Sequence, residues 1–259
     1  MNRQLSHRRL LASLAIVGLV AAGCGSDSSS SNDSTAPSDA VTTETTTAMA
    51  EDTTPPATVA PTTEAVAMFE GDLVGTFSID DAVCTDAANV TGSYFRMLQP
   101  GGTMTDGPFI PNADSACADT TYSGLTAGTG GGLTTGVYQP APDPAFDAAG
   151  NGLADQIFAP VTFFAVAFAG ATDTAEAMPA LTATAGALTG DLSAFTAYYG
   201  GANFNQGAPK PDGSGEAPVG TIDPETGAYV LDWTSQIVGG SFNDFVGVWH
   251  LEGTFTPGS

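Results

Sequence analysis

The sequence predicts an all-β chain, an antiparallel β-sandwich or, as the alternative, a β-barrel, that follows a disordered N-terminal segment. The chain has 32 glycines and 17 prolines, and only 13% of its residues are charged, which is unfavourable for long solvated helices. From residue 67 onward, short apolar or alternating runs are separated by Gly, Asp, Asn and Pro, and no run keeps a helical period. We therefore predict one β-rich domain over residues 67–259.

Residues 1–23 have the features of an export signal. Three arginines and no acid precede an apolar run from Leu10 to Ala22, and small residues follow it. The run is about 13 residues long, which is shorter than the roughly 20 residues that span a bilayer as a helix. The segment is therefore expected to direct export rather than to remain as a transmembrane helix.

The string Leu-Val-Ala-Ala-Gly-Cys, from Leu19 to Cys24, resembles the lipobox of bacterial lipoproteins. This resemblance implies that Cys24 receives a diacylglyceryl group and becomes the first residue of the mature chain. The family usually has Leu where this chain has Ala21. The implied location is the extracytoplasmic face of the cell membrane, with the membrane contacted through the N-terminal lipid. The alternative is an ordinary secretory signal in which Cys24 is incidental.

Residues 24–66 are predicted to form a disordered tether. The segment is rich in Ser and Thr, contains four prolines and has no aromatic residue, so it cannot bury a core. A spacer explains this composition, and O-glycosylation or recognition by a partner is the alternative.

The charge balance excludes two classes of function. After residue 23 the chain has two cations, Arg96 and Lys210, against all 28 acids. Binding of nucleic acid requires several cations to displace counterions from phosphates, so no nucleic-acid partner is expected. The chain also lacks the GxxxxGK[ST] string that binds nucleotide phosphates, so no nucleotide partner is expected.

Cys84 and Cys117 lie among polar, turn-forming residues. Two thiols in an oxidising compartment most simply form a disulfide. Neither belongs to a CxxC motif of the kind that binds zinc, and the acidic neighbours disfavour a reactive thiolate. We therefore predict a structural disulfide.

The candidate strands share short apolar or alternating runs bounded by turn residues. They cover residues 72–79, 92–98, 134–139, 158–169, 180–185, 187–192, 195–199, 217–222, 228–234 and 246–255.

The run 158–169 is predicted to be a central strand. Alternation places Phe164, Val166 and Phe168 on one face and mostly alanines on the other, which favours a strand covered on both faces.

Two later runs are predicted to place their aromatic side chains in the core. Pro, Gly and acids between Ile222 and Tyr229 predict a hairpin. Alternation then places three residues of the second strand on one face, and it does the same in the last strand. These core candidates are Tyr229, Leu231, Trp233, Trp249, Leu251 and Phe255.

An acidic loop partly matches a calcium-binding pattern. Asp147, Asn151, Gly152 and Asp155 fit positions 1, 5, 6 and 9 of the EF-hand loop, and Asp143 lies just upstream. Positions 3 and 12 do not fit. The sequence therefore leaves two interpretations open, a calcium site and a plain acidic turn.

His250 and Glu252 are predicted to lie on the face of the last strand opposite Trp249. Such a pair can share a transition metal, although a solvent-facing pair is the simpler interpretation. No GxSxG motif accompanies this histidine, so a serine hydrolase is not expected.

The function expected from these observations is a non-catalytic surface or envelope binding module for a protein, a glycan or a cation. One alternative is an envelope structural lipoprotein without a discrete ligand. The other is a carboxylate-dependent glycoside hydrolase, with Tyr198, Tyr199, Trp233 and Trp249 as its sugar platform. Residues 227–253 resemble segments of uncharacterised secreted bacterial proteins, which implies no activity. An exposed aromatic patch favours the binding module.

Overall fold

The computed structural model describes residues 69–258. The predicted signal (1–23), the lipidation residue Cys24 and the predicted tether (24–66) lie outside these residues. Within them, every strand pairing is antiparallel, and the only helix is the three-residue 3-10 turn Gly240–Phe242. This part of the chain contains no helix with the length and apolar character needed to cross a membrane. The prediction of an all-β antiparallel fold is confirmed.

The strands are β1 Gly71–Leu73, β2 Gly75–Ser78, β3 Tyr94–Thr103, β4 Gly107–Phe109, β5 Ser123–Gly124, β6 Gly132–Thr135, β7 Val161–Phe163, β8 Val166–Thr172, β9 Ala180–Thr184, β10 Ala187–Asp191, β11 Phe195–Tyr199, β12 Ala202–Asn205, β13 Val219–Ile222, β14 Ala228–Gln236 and β15 Val246–Pro257. Three strands, β3, β14 and β15, have nine or more residues, and the others have two to seven.

The large sheet nearly closes on itself. Its order is β1-β9-β10-β13-β14-β15-β2-β6, and β1 and β2 are separated in sequence by Val74 alone. One end of this continuous segment therefore pairs with β9 and the other with β15. Gly75 permits the bend, because its φ is 153° and a Cβ there would lie 2.2 Å from the Thr256 carbonyl oxygen. This sheet has the character of a barrel, the predicted alternative to a sandwich.

The last strand, β15, organises the large sheet. β14 pairs along most of its length, while β3 and then β2 pair with its other edge. The predicted hairpin before it is confirmed, with Ile222 opposite Tyr229. All six predicted core residues of β14 and β15 are buried.

A small sheet of order β12-β11-β8-β7 packs on the first half of β15. Phe95, Phe195 and Trp233 surround Trp249, with ring centroids 4.7, 4.8 and 5.8 Å away, and the two indoles stack at 9°. Phe168 of β8 completes this contact at 6.2 Å. The two sheets therefore share one aromatic core, as in a sandwich.

The prediction of one strand over 158–169 is wrong. The segment forms the hairpin β7–β8, and Phe164 and Ala165 make its two-residue turn with φ of 49° and 62°. Phe164 is consequently 46% exposed and does not lie beside Phe168. β8 does lie between β7 and β11 in the small sheet, and its residues 168–172 are buried.

Other strand bounds also differ from prediction. The strand expected at 134–139 is β6, which begins earlier and ends at Thr135. Strands β4, β5 and β12 were not predicted, because two to four residues rich in Gly, Pro or Asn carry no alternation.

The predicted disulfide is confirmed. Cys84 and Cys117 are bonded, their Cα atoms are 4.9 Å apart, and both residues are buried. The Ala118 amide donates a hydrogen bond to the Cys84 carbonyl at 2.9 Å beside the disulfide. Two segments with little regular structure are thus joined.

Candidate functional site

An apolar pocket lies where the small sheet meets β3 and β15. The side chains around it come from both sheets and from the loop between β14 and β15. Seven of them are aromatic: Phe95, Phe163, Phe168, Tyr199, Phe204, Phe242 and Trp249.

The pocket is small and suited to an aliphatic group. Its volume is about 50 Å³, whereas an apolar cavity of about 150 Å³ binds benzene. The polar atoms of the lining are already engaged. The Tyr199 hydroxyl donates to the Phe163 carbonyl at 2.8 Å, and the Gln206 amide hydrogen-bonds Asn205 and Trp249. No charged side chain lines the pocket, so an apolar group is favoured. The small volume limits this group to about the size of a few methyls.

A partly exposed aromatic patch lies beside the pocket, in which Phe164 is exposed and Phe242 and Phe245 are half-buried. The ring of Phe164 lies 5.9 Å from that of Phe242, and Phe242 lies 5.8 Å from Phe245. We call Phe164, Phe242 and Phe245 the rim patch. Val238, in the same loop as Phe242, is 68% exposed. Adjacent apolar side chains that face solvent are typical of an interaction surface.

The loop of the rim patch is shaped by glycine. Gly240 has a φ of 66°, and a Cβ there would lie 3.0 Å from the Phe204 ring. The 3-10 turn can therefore rest on Phe204 and place Phe242 over the pocket. The Asn243 side chain accepts a hydrogen bond from the Gly239 amide at 2.6 Å and closes this turn.

The turn that carries Phe164 has an unfavourable sequence for its conformation. Left-handed φ at both residues defines a type I′ turn, for which Asn-Gly is preferred. A bulky residue in this region is an outlier, and the cost is roughly 1–2 kcal/mol per residue. The Asp114 carboxylate accepts a hydrogen bond from the Ala165 amide at 2.7 Å and supports the turn. Phe164 is therefore held in a left-handed conformation that its own backbone disfavours.

Two acids flank the rim patch. Asp114 lies at the Phe164 turn, and Asp244, with a φ of 70°, lies between Phe242 and Phe245 in the chain. Both residues are exposed. Burial, and to a lesser extent the charge of Asp114, raises the pKa of Tyr199, which therefore stays neutral at the pocket. The surface around the mouth is apolar with an anionic border.

In the predicted calcium loop, Asp147 and Asn151 form hydrogen bonds within the loop itself. The Asp147 carboxylate accepts hydrogen bonds from the amides of Ala149 and Asn151 and from the Asn151 side chain, at 2.8 to 2.9 Å. These bonds lower the pKa of Asp147, with the Asn151 side chain contributing most. The side-chain Oδ1 of Asn151 accepts a hydrogen bond from the Ala167 amide at 2.8 Å.

The remaining acids of the calcium prediction are placed differently. Asp155 lies against Thr129, and Asp143 precedes a proline in an exposed loop. Within residues 69–258 no three His, Cys, Asp or Glu side chains converge as a metal site. Calcium binding therefore stays a prediction.

Thermal unfolding tests the calcium prediction. Calcium should raise Tm more than sodium chloride of equal ionic strength does, and Asp147→Ala should abolish this difference.

His250 has carboxylates at both ring nitrogens. Nδ1 lies 2.7 Å from Asp232 and Nε2 lies 3.0 Å from Glu252, while the Tyr94 ring stacks on the imidazole at 4.5 Å. Asp232 and Tyr94 stand opposite His250 on the neighbouring strands β14 and β3. Sequence reasoning identified Glu252 but missed the other two, because strand register is not visible in the sequence. With both nitrogens engaged, the group acts as a cross-strand ion pair.

This ion pair predicts a pH dependence of stability. Burial lowers the pKa of His250. The hydrogen bonds and charges of Asp232 and Glu252 raise this pKa by more than burial lowers it, so the net shift is upward. The contribution to stability is complete below the unfolded pKa of about 6.5 and is lost as the pH rises through the folded pKa. Denaturant titrations across this range should show a falling free energy of unfolding in the parent chain and a flatter profile in His250→Gln. Parallel profiles would contradict the assignment.

The expected sugar platform is not assembled. Trp233 and Trp249 are 2% and 1% exposed, so neither indole offers a face to a sugar. Tyr198 is half-buried and packs against Phe146 at 5.6 Å. Tyr199 instead lines the apolar pocket.

Comparison of the chain with protein-family models, curated proteins and solved structures finds no match.

Proposed function

We propose that this chain is a lipid-anchored extracytoplasmic protein whose β domain is a non-catalytic binding module. Its pocket takes an aliphatic side chain of an envelope or extracellular protein. The observation that carries the proposal is the exposed Phe164, held in a left-handed conformation beside an apolar pocket. Backbone strain of this kind is characteristic of functional positions.

The pocket and its border define the chemistry of the partner. The pocket volume suits a branched aliphatic group better than a ring, and the rim patch can pack around the group. Asp114 and Asp244 favour a partner with Lys or Arg beside that group. Association should accordingly weaken as salt concentration rises.

The anchor is tested by metabolic labelling with a palmitate analogue. Since the lipid would be attached to Cys24, the parent chain should be labelled and Cys24→Ala should not. Equal labelling of the two chains would rule out the lipoprotein proposal.

The binding site is tested by photo-crosslinking in cells. A photoreactive residue in place of Phe164 should give a discrete protein adduct. The same residue in place of Val219, which is 55% exposed on β13, should give none. Ala197→Val, which adds two carbons within the pocket, should reduce the Phe164 adduct by about tenfold, equivalent to 1.4 kcal/mol of binding. The proposal would be contradicted if Ala197→Val left the Phe164 adduct yield unchanged. It would also be contradicted if the photoreactive residues at positions 164 and 219 gave equal yields. Absence of any adduct would favour a structural lipoprotein without a ligand.

A further inference from the structure

Arg96 lies outside the pocket in an unusual environment. Its neighbours Phe95 and Met97 face the core, so Arg96 projects from the opposite face of β3. The centre of its guanidinium lies 3.4 Å from the Phe109 ring centroid and 4.2 Å from that of Tyr122. Both rings interact favourably with the cation.

Arg96 has no carboxylate partner within residues 69–258. The ion pairs of this region are those of His250, although the chain has 28 acids and 5 Lys and Arg. A guanidinium in so acidic a chain would be expected to pair, since bidentate bonds to carboxylates are among its strongest interactions. The cation is instead held between two aromatic rings.

The hydrogen bonds of the guanidinium are incomplete. Nη2 donates to the Thr121 hydroxyl at 2.9 Å, and Nε is buried without a partner among the described residues. A guanidinium has five N–H donors. A buried donor without an acceptor destabilises the folded state, because it loses its hydrogen bond to water. Apart from Thr121, the described residues supply no hydrogen-bond acceptor to the guanidinium.

The two rings restrict how that acceptor can approach. Phe109 and Tyr122 cover the centre of the guanidinium, and Nε is buried, so a ligand approaches the terminal edge formed by Nη1 and Nη2. A planar oxyanion with two oxygens matches this terminal edge. The negative charge of the chain repels a phosphate, with a charge near −2, more strongly than a carboxylate with a charge of −1.

We propose that Arg96, held between Phe109 and Tyr122, is a binding site for a carboxylate group of a ligand. The site is independent of the aliphatic pocket and of the proposed function. Repulsion by the surrounding acids limits the affinity for a simple carboxylate to the millimolar range.

The test uses the Nε–Hε resonance of arginine in ¹H–¹⁵N spectra of the chain from residue 24 onward, in which Arg96 is the only arginine. Arg96→Lys removes this signal and confirms its assignment, and backbone amide signals far from Arg96 are internal controls. Sodium acetate should shift the Arg96 signal saturably, and sodium chloride at equal ionic strength should not. Equal shifts in the two salts, parallel shifts of the control amides or a linear response would overturn the proposal.

A second measurement separates binding from folding. Acetate should raise Tm above the value in matched chloride for the parent chain but not for Arg96→Lys, which keeps the charge and loses the planar fork. Thr121→Val is the matched control, because it removes the hydroxyl acceptor and keeps the guanidinium. It should retain the acetate response. An acetate-specific rise of equal size in Arg96→Lys would contradict the assignment.

Discussion

Trp249→Ala is expected to reduce the free energy of unfolding by about 3–5 kcal/mol, the range for loss of a buried large aromatic side chain. Trp249 is 1% exposed and touches both sheets through Phe95, Phe195 and Trp233. The cavity left behind would be lined by rigid rings that cannot collapse into it. Since small domains have about 5–15 kcal/mol of stability, a large share would be lost.

Denaturant titration measures this loss, and Trp249→Phe is the matched control. Phenylalanine retains aromatic contact and loses the bond from the indole nitrogen to Gln206, which is long at 3.4 Å. It should therefore cost much less than alanine. Similar small losses for both variants would show that the two sheets do not share one core.

Removal of the disulfide is expected to have the second largest effect. The bond joins residues 33 apart in sequence, and a loop of that length corresponds to about 3–4 kcal/mol in the chain-entropy description. The joined segments have few strands of their own. We therefore expect the double variant Cys84→Ala/Cys117→Ala to lose about this free energy of unfolding.

The control is the parent chain measured with and without a reductant. Reduction should lower the stability of the parent to nearly that of the double variant and should leave the variant unchanged. If reductant has no effect on the parent, the disulfide does not form in solution.

The sequence predicts those features of the fold that depend on local patterns. Alternation along β14 and β15 correctly places Tyr229, Trp233 and Trp249 in the core. The turn residues between Ile222 and Tyr229 identify the hairpin. Two cysteines among polar, turn-forming residues, in a chain whose N-terminal pattern predicts export, are enough to predict their disulfide.

The aromatic site could not be predicted in the same way. Alternation continues through Phe164 and Ala165, and neither residue is a turn signal, so the hairpin of β7 and β8 looks like one strand. The pocket brings together residues far apart in sequence, such as Phe95 and Phe242. The partners of His250 and the rings around Arg96 likewise depend on register and loop packing. Local periodicity carries no information on such contacts.

The exchange of Phe164-Ala165 for Asn-Gly tests the central claim most directly. These residues suit a type I′ turn, so the free energy of unfolding should rise by about 1 kcal/mol or more once strain is relieved. The same variant should lose the protein adduct formed from a photoreactive residue in place of Val238, because the phenyl group at the mouth is gone. Greater stability together with loss of the adduct is the predicted result. An adduct retained at the level of the parent chain would contradict a role for Phe164 in binding.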